Sequence, residues 1–135
     1  MRVAAGFSVA FLAALVAGCT SINATHATFE GTQWQVVAIN DQATPRTDMY
    51  RVGFRDGQFG GRTGCNHFGG TYRVSGDVLT VGSVAATEMA CDGPGGTFES
   101  WSFRVLQQPM RLTWHSAKRL TLSNPAGSIG LERLF

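Results

Sequence analysis

The side chains of this chain that could carry out covalent or metal chemistry are mainly its cysteines and histidines. Cys65 and Cys91, together with His67 and His115, have the donor atoms of a zinc site, although their spacing matches no zinc-binding pattern. Cys65 beside one of these histidines could instead be a nucleophile, which requires a free thiolate close to a base. Both hypotheses depend on whether the two thiols are free.

Cys19 lies in a different setting, directly after an apolar segment. After Arg2, residues 3–16 are almost entirely Ala, Val, Leu and Phe, which is typical of an export signal. As a helix this segment would be about 21 Å long, too short for a hydrocarbon core of roughly 30 Å. The sequence Leu15-Val16-Ala17-Gly18-Cys19 resembles the bacterial lipobox, whose cysteine receives a diacylglyceryl group before the signal is cleaved. A conventional signal peptide with an incidental cysteine is the alternative.

The lipobox predicts how the chain is organised. We expect a lipoprotein signal peptide over residues 1–18, a flexible tether over residues 19–28 and one domain over residues 29–135. The membrane is then a partner, contacted through the lipid on Cys19. Because Thr20 rather than Asp follows the cysteine, the sorting rules of Gram-negative lipoproteins favour the outer membrane, with the domain facing the periplasm.

An exported domain sits where disulfides form and persist, so an even pair of cysteines is more often bridged than free. A Cys65–Cys91 disulfide is therefore favoured, and it would remove both thiols from the metal and nucleophile hypotheses. Glu88 and Asp92 flank Cys91 and could form a carboxylate pair, but charged turn residues are the commoner explanation. We expect no enzyme activity, no metal site and no cofactor.

Length and charge narrow the functional classes further. Without the signal, about 117 residues remain, enough for one hydrophobic core. Of the eleven basic residues, Arg2 lies in the signal, so ten face nine acidic ones, and neither sign forms a run. No nucleic-acid partner is expected.

Short alternating apolar runs separated by turn residues predict a mainly β domain. The clearest run places Tyr50, Val52 and Phe54 on one face of a strand, and Asp56-Gly57 then supplies a type I′ hairpin turn. Asn40-Asp41 marks another turn. Further strands are predicted over Gln33–Ile39, Gln58–Thr63, Thr71–Val74, Val78–Val81, Arg111–Trp114, Arg119–Leu122 and Ser128–Arg133.

One helix is predicted, because residues 97–108 contain no Gly or Pro. Thr97 is the expected N-cap, after the Gly93–Gly96 breaker, and Pro109 ends the helix. Its apolar stripe is expected to cover an open face of the sheet and consists of Phe98, Trp101, Val105 and Leu106. The predicted fold class is α+β: a mainly antiparallel β domain built from hairpins, with one helix packed on the sheet.

Four segments together resemble the META domain family of HslJ-like heat-shock proteins. They are Gly31–Asn40, the run Gly64-Cys65-Asn66 with Gly70 and Tyr72, the run Thr87-Glu88-Met89-Ala90-Cys91, and the closing hairpin around Leu120–Gly127. The resemblance implies an α+β domain and a disulfide between the two motif cysteines, in agreement with the compartment. Its motif residues here are Gly64, Asn66, Gly70, Tyr72, Thr87 and Met89.

The resemblance implies no enzyme activity, and links the chain to heat-shock response, novobiocin resistance, secretion or virulence. We therefore expect a membrane-anchored, non-enzymatic binding or envelope stress and maintenance module, with an unidentified envelope protein as a possible partner. Alternatives are a pilot- or chaperone-like lipoprotein that binds a secreted or outer-membrane partner and, more remotely, a thiol-dependent enzyme. If the domain works by contact, an exposed aromatic residue such as Phe68, Tyr50 or Trp114 would line the contact surface, although each has the pattern of a core residue.

Overall fold

The computed structural model describes residues 29–135, in which the alternating runs form ten β-strands and a helix, α1. The predicted signal peptide, Cys19 and the predicted tether lie outside these residues. The elements are β1 Thr32–Ile39, β2 Gln42–Ala43, β3 Arg51–Arg55, β4 Gln58–Arg62, β5 His67–Ser75, β6 Val78–Val81, β7 Ala85–Ala86, α1 Gly93–Leu106, β8 Met110–Ser116, β9 Arg119–Asn124 and β10 Gly127–Arg133.

Eight of the strands form a closed antiparallel barrel. Around the barrel the order is β1, β3, β4, β5, β6, β8, β9 and β10, and β10 pairs with β1 to complete the ring. The short strands β2 and β7 pair with the outer parts of β1 and β5. Pairing of β1 with β10 runs from Trp34 opposite Arg133 to Ile39 opposite Ile129.

The predicted α+β class, a hairpin sheet with a helix on an open face, is therefore wrong. The sheet has no open face, because its two terminal strands bond to each other and the apolar faces of all eight strands point into one interior. The individual hairpins are confirmed, but strand closure joins segments about ninety residues apart, which no local pattern reveals.

The tight turns follow the predicted chemistry. Asp56 and Gly57 have φ angles of 52° and 72°, and Asn40 and Asp41 have φ angles of 49° and 62°, as a type I′ turn requires at its two central positions. Tyr50 differs from its prediction, because it ends a short 3₁₀ helix, Asp48–Tyr50, rather than beginning β3. Its side chain is nevertheless buried, as the alternation predicted.

Side chains fill the barrel interior. Every strand of the ring contributes apolar residues to one continuous core, including Trp34, Phe54, Phe59, Leu79, Met110, Leu122 and Leu131. Strand β1 accommodates its curvature with a bulge at Val37, where its pairing with β10 shifts by one residue. The interior is a packed core, so ligands would meet this protein on its outer surface.

Helix α1 lies across one end of the barrel, which we call the helix end. Its Phe98 ring packs edge-on against Tyr50, and its Phe103 ring packs edge-on against Phe68. Asn124 at the end of β9 donates to the carbonyl of Val105. Helix α1 begins at Gly93 rather than after Thr97, so the predicted Gly-Pro-Gly-Gly breaker forms its first turn. Pro is compatible with that position, because the N–H it lacks would have no helical partner.

Phe29 closes the opposite end, which we call the Phe29 end. Its side chain is completely buried, with its ring centroid 4.7 Å from that of Phe54, 5.6 Å from that of Trp114 and 6.3 Å from that of Trp34. The turns β3–β4, β5–β6 and β8–β9 lie at this end, because each follows a strand that runs away from α1. No helix within residues 29–135 is both long and apolar enough to span a bilayer.

We expect Phe29→Ala to lower the free energy of unfolding by about 3 to 5 kcal/mol, because it leaves a cavity between three aromatic rings. Urea unfolding followed by circular dichroism measures this loss. Phe135→Ala is the matched control, since Phe135 is 86% exposed and its loss should stay within about 0.5 kcal/mol. Equal losses in the two variants would contradict the core position of Phe29.

Candidate functional site

The two cysteine-containing motifs meet at the helix end of the barrel. Cys65 and Cys91 form a disulfide, with their Cα atoms 5.8 Å apart, as expected from the compartment. Cys65 lies in the turn between β4 and β5, and Cys91 lies just before α1. The disulfide therefore joins a barrel turn to the segment that leads into the helix.

Asn66 connects the same two segments through every polar atom of its side chain. Its amide nitrogen donates to the carbonyl of Met89 at 3.1 Å and to Oε2 of Glu99 at 2.9 Å. Its amide oxygen accepts from Oγ1 of Thr87 at 3.0 Å and from the backbone N–H of Met89 at 2.8 Å. Asn66 thus holds the two motifs in one relative arrangement. This explains why the Gly64-Cys65-Asn66 motif has an amide side chain at this position.

Glu99 on α1 completes this cluster. Its carboxylate is buried and accepts from the backbone N–H of Asn66 at 2.6 Å as well as from the Asn66 amide. Within residues 29–135, Glu99 takes part in no ion pair. A buried carboxylate needs hydrogen bonds to offset the cost of leaving water, and here a single residue supplies two of them.

Gly64 permits the close approach of α1 to this turn. A Cβ atom at Gly64 would lie 2.4 Å from the carbonyl oxygen of Gly95 and 3.1 Å from Cβ of Glu99. Next to it, the hydroxyls of Thr63 and Ser102 bond to each other in a buried contact. Glycine is needed at position 64 because only a residue without a side chain leaves room for the helix.

Tyr50 is close enough to Glu99 to sense its charge. Burial raises the pKa of the Tyr50 phenol, and the negative charge of Glu99 raises it further. Tyr50 therefore stays protonated at neutral pH. It contributes a neutral hydroxyl to this end of the barrel, and its ring supports Phe98 of α1.

Gly70 and Tyr72 lie apart from the disulfide, further along β5. A Cβ atom at Gly70 would lie 3.1 Å from the carbonyl oxygens of Gly82 and Ser83, so this glycine fits a tight strand connection. The Tyr72 ring packs in the core, and its hydroxyl donates to Glu30 at 2.7 Å. Burial, together with this hydrogen bond, raises the pKa of Tyr72. These two motif residues position backbone and core rather than form part of the cluster around Asn66.

Met89 presents its side chain to solvent, with 58% of it exposed, although its backbone is held by Asn66. Nearby, an open groove of about 500 Å³ runs along the start of α1, lined by Gln42, Gly93, Pro94, Thr97, Phe98 and Trp101. Phe98 and Trp101 are half-buried and pack edge-on at 5.9 Å between ring centroids. This helix-end groove is an aromatic surface that a partner could contact.

The groups proposed for metal or nucleophilic chemistry have other contacts. His67 receives hydrogen bonds from Arg62 on the neighbouring strand, and His115 bonds to Thr121 at 2.8 Å. Residues 29–135 contain no group of three or more His, Cys, Asp or Glu side chains placed to hold a metal ion. Glu88 and Asp92 are both exposed.

Two of the predicted contact aromatics, Phe68 and Tyr50, are core residues, whereas Trp114 is 40% exposed. Glu99 was not predicted as a member of the cluster, because a Glu in a first helical turn is ordinarily a solvent-facing residue. Its spacing held a signal: Glu99 and Ser102 precede Leu106 by seven and four residues, on one helical face.

Asn66→Asp replaces the amide that donates to Glu99 with a carboxylate oxygen, so two acidic oxygens would face each other in a buried site. We expect the free energy of unfolding to fall by about 3 to 5 kcal/mol.

Adding Glu99→Gln to Asn66→Asp restores a donor opposite the new acceptor, so the double variant should recover part of the loss. Urea unfolding of both single variants and the double variant gives the coupling free energy. Losses that simply add would contradict a direct bond between the two side chains.

Comparison with known proteins supports the resemblance seen in the motifs. The META domain family matches residues 27–131. The chain is similar to the NMR structure of a protein from Burkholderia xenovorans, with 21% identity and a TM-score of 0.64, covering 82% of this chain and 86% of that chain. A second NMR structure has 18% identity and a TM-score of 0.69, covering 79% of this chain and 92% of that chain. No curated protein matches the chain.

At these identities the two structures support the fold alone. The family match spans most of the chain and includes the disulfide, Asn66 and the strands that close the barrel. This protein belongs to the META domain family.

Proposed function

We propose that the chain is a membrane-anchored lipoprotein of the cell envelope, non-enzymatic, whose META domain is a binding or envelope stress and maintenance module. The observation that carries this proposal is the sequence Leu15-Val16-Ala17-Gly18-Cys19 behind an apolar segment. The lipid on Cys19 holds the domain at the outer membrane, facing the periplasm. Possible links to heat or novobiocin tolerance come from the family resemblance.

The disulfide supports an exported domain. Cys65 and Cys91 are joined within the domain, and Cys19 is the third cysteine of the chain. Disulfides are rare in the cytosol and common outside it. The same pairing supports a non-enzymatic function, because a bridged Cys65 has no thiolate with which to attack a substrate.

The position of Phe29 keeps the barrel close to the membrane. Phe29 follows Cys19 by ten positions, with nine residues between them, and a fully extended chain covers at most about 3.3 to 3.6 Å per residue. The barrel therefore lies within roughly 36 Å of the lipid attachment point. The chain enters it at the Phe29 end, so the helix end can point away from the bilayer.

A binding function would use the outer surface, since side chains fill the interior. The helix-end groove favours a protein partner, because it pairs two half-buried aromatic rings with Pro94 and is bordered by backbone at Gly93. Aromatic side chains set in a groove are frequent anchors of protein interfaces. This surface suits the alternative of a pilot- or chaperone-like lipoprotein that binds a secreted or outer-membrane partner.

Cys19→Ala should yield an unprocessed or mislocalised precursor that incorporates no labelled palmitate, because the lipidated atom is missing. Membrane fractionation and palmitate labelling in cells measure this. Cys65→Ala is the control, since it removes a different cysteine and should leave labelling intact. Normal processing and labelling of Cys19→Ala would contradict the anchor.

A photo-crosslinking residue at Thr97, which is exposed and lines the helix-end groove, should capture a reproducible envelope protein in intact cells. The adduct should be lost in Trp101→Ala. The same crosslinker at Thr113, on the outer surface of β8, is the control. No adduct at Thr97, together with heat or novobiocin sensitivity of a deletion strain, would favour a stress lipoprotein without a discrete partner.

A further inference from the structure

The Phe29 end of the barrel exposes an aromatic ring beside its core. Trp114 is 40% exposed, yet its ring packs against Phe29 and Trp34 at 5.6 and 5.9 Å between centroids. Phe135, two residues after Arg133, is 86% exposed. A tryptophan with one side held in a core and the other facing outwards is the type of residue that binds at the boundary between water and lipid.

Two basic residues, Lys118 and Arg133, lie at the same end of the barrel as this ring. Lys118 and Arg133 are joined through their backbones, since the N–H of Arg133 donates to the carbonyl of Lys118 at 2.8 Å. The Arg133 guanidinium lies 6.0 Å from the Trp34 ring centroid, and Trp34 contacts Trp114. Among residues 29–135, neither Lys118 nor Arg133 forms an ion pair. Lys118 is exposed, whereas Arg133 is half-buried and its Nε donates to the Phe135 carbonyl at 3.3 Å, so Lys118 and the remaining N–H groups of Arg133 are available to an anionic surface.

The carboxylates at this end are already engaged: Glu132, Asp77 and Asp56 each pair with an arginine, and Glu30 accepts from the Tyr72 hydroxyl. Glu132 binds Arg46 through both of its oxygens, at 3.1 and 3.3 Å, and lies 3.6 Å from Arg119. These contacts lower the pKa of Glu132, chiefly through the hydrogen bond from Arg46. At the helix end, by contrast, the exposed segment before α1 carries Glu88 and Asp92. Lys118 and Arg133, which form no ion pair among residues 29–135, thus lie at the end where the chain enters the barrel.

We propose that the Phe29 end docks on an anionic lipid surface, with Trp114 in the headgroup region and Lys118 and Arg133 beside lipid phosphates. The proposal rests on the membrane anchor at Cys19. Two observations favour a lipid surface as the occupant. One is the positive charge of Lys118 and Arg133, which form no ion pair among residues 29–135. The other is the separation of only ten positions along the chain between Cys19 and Phe29. The lipid chain supplies attachment, and the docked end fixes orientation, so that the helix-end groove faces away from the bilayer.

The test uses the mature lipoprotein reconstituted in vesicles that contain phosphatidylglycerol and bromine-labelled lipids, which quench tryptophan fluorescence on contact. We expect quenching of the wild-type protein and loss of that quenching in Trp114→Phe. Trp101→Phe is the matched control, because Trp101 lies at the helix end, and this variant should keep the quenching. Lys118→Glu should weaken quenching, whereas Arg104→Glu, an exposed charge reversal on α1, should not.

The intact mass of the same protein reports separately whether Cys19 carries lipid. Lipid on Cys19 without quenching of Trp114 would overturn the docking and leave the anchor in place. A protein without lipid on Cys19 would overturn the anchor. Quenching of Trp114 when that protein is added to the vesicles would still support the docking, and its absence would overturn it. Quenching that depends on Trp101 instead would show that the opposite end faces the bilayer and would contradict the proposal.

Discussion

The pairing of β1 with β10 is the interaction on which the rest of the structure depends. It satisfies the backbone groups that the first and last strands of an open sheet would leave unpaired, and it gives the apolar faces of eight strands a single interior. The same pairing determines how both ends of the barrel are closed. Asn40, just after β1, accepts from the backbone N–H of Ser128 in β10, while Phe29, just before β1, enters the core. The bulge at Val37 lets β1 curve enough to make this closure.

Closure leaves the helix with no sheet face to cover, so α1 is held by specific contacts at one end. The disulfide and Asn66 act on the same junction by different means. The disulfide restricts the unfolded chain over a separation of 26 residues, whereas Asn66 and Glu99 define the folded geometry through hydrogen bonds that are hidden from water. A covalent link alone would tolerate several helix positions. The polar cluster restricts α1 to one of them.

Structural features that depend on neighbouring residues were predicted from the sequence, whereas features that depend on distant residues were not. The turn at Asp56-Gly57 and the alternation in β3 are local, and both were correct. The closure between β1 and β10 was not predicted, since each strand by itself only reports that one of its faces is buried. The start of α1 was misplaced because Gly and Pro usually end helices, yet both are compatible with a first turn that α1 needs for its close approach at Gly64. The disulfide was predictable because its two cysteines follow a segment that predicts export, and an even pair of cysteines in an exported domain is usually bridged.

The two ends of the barrel differ in a way that bears on function. A closed barrel with a packed interior leaves no space for a ligand inside. Any binding specificity of this domain must therefore come from its turns and from the segments that cross its ends. One end carries α1, an aromatic groove and acidic residues in the preceding segment. The other carries the exposed Trp114 together with Lys118 and Arg133, at the end where the chain enters the barrel. If the proposed lipid on Cys19 were the only attachment, the domain would rotate freely about its tether and neither surface would be favoured. In the proposed docking, the basic and aromatic patch at the Phe29 end would remove that freedom, because it would give one orientation a lower free energy than the others. Partner binding at the helix end would then require no further ordering of the domain, since the groove would already face away from the membrane.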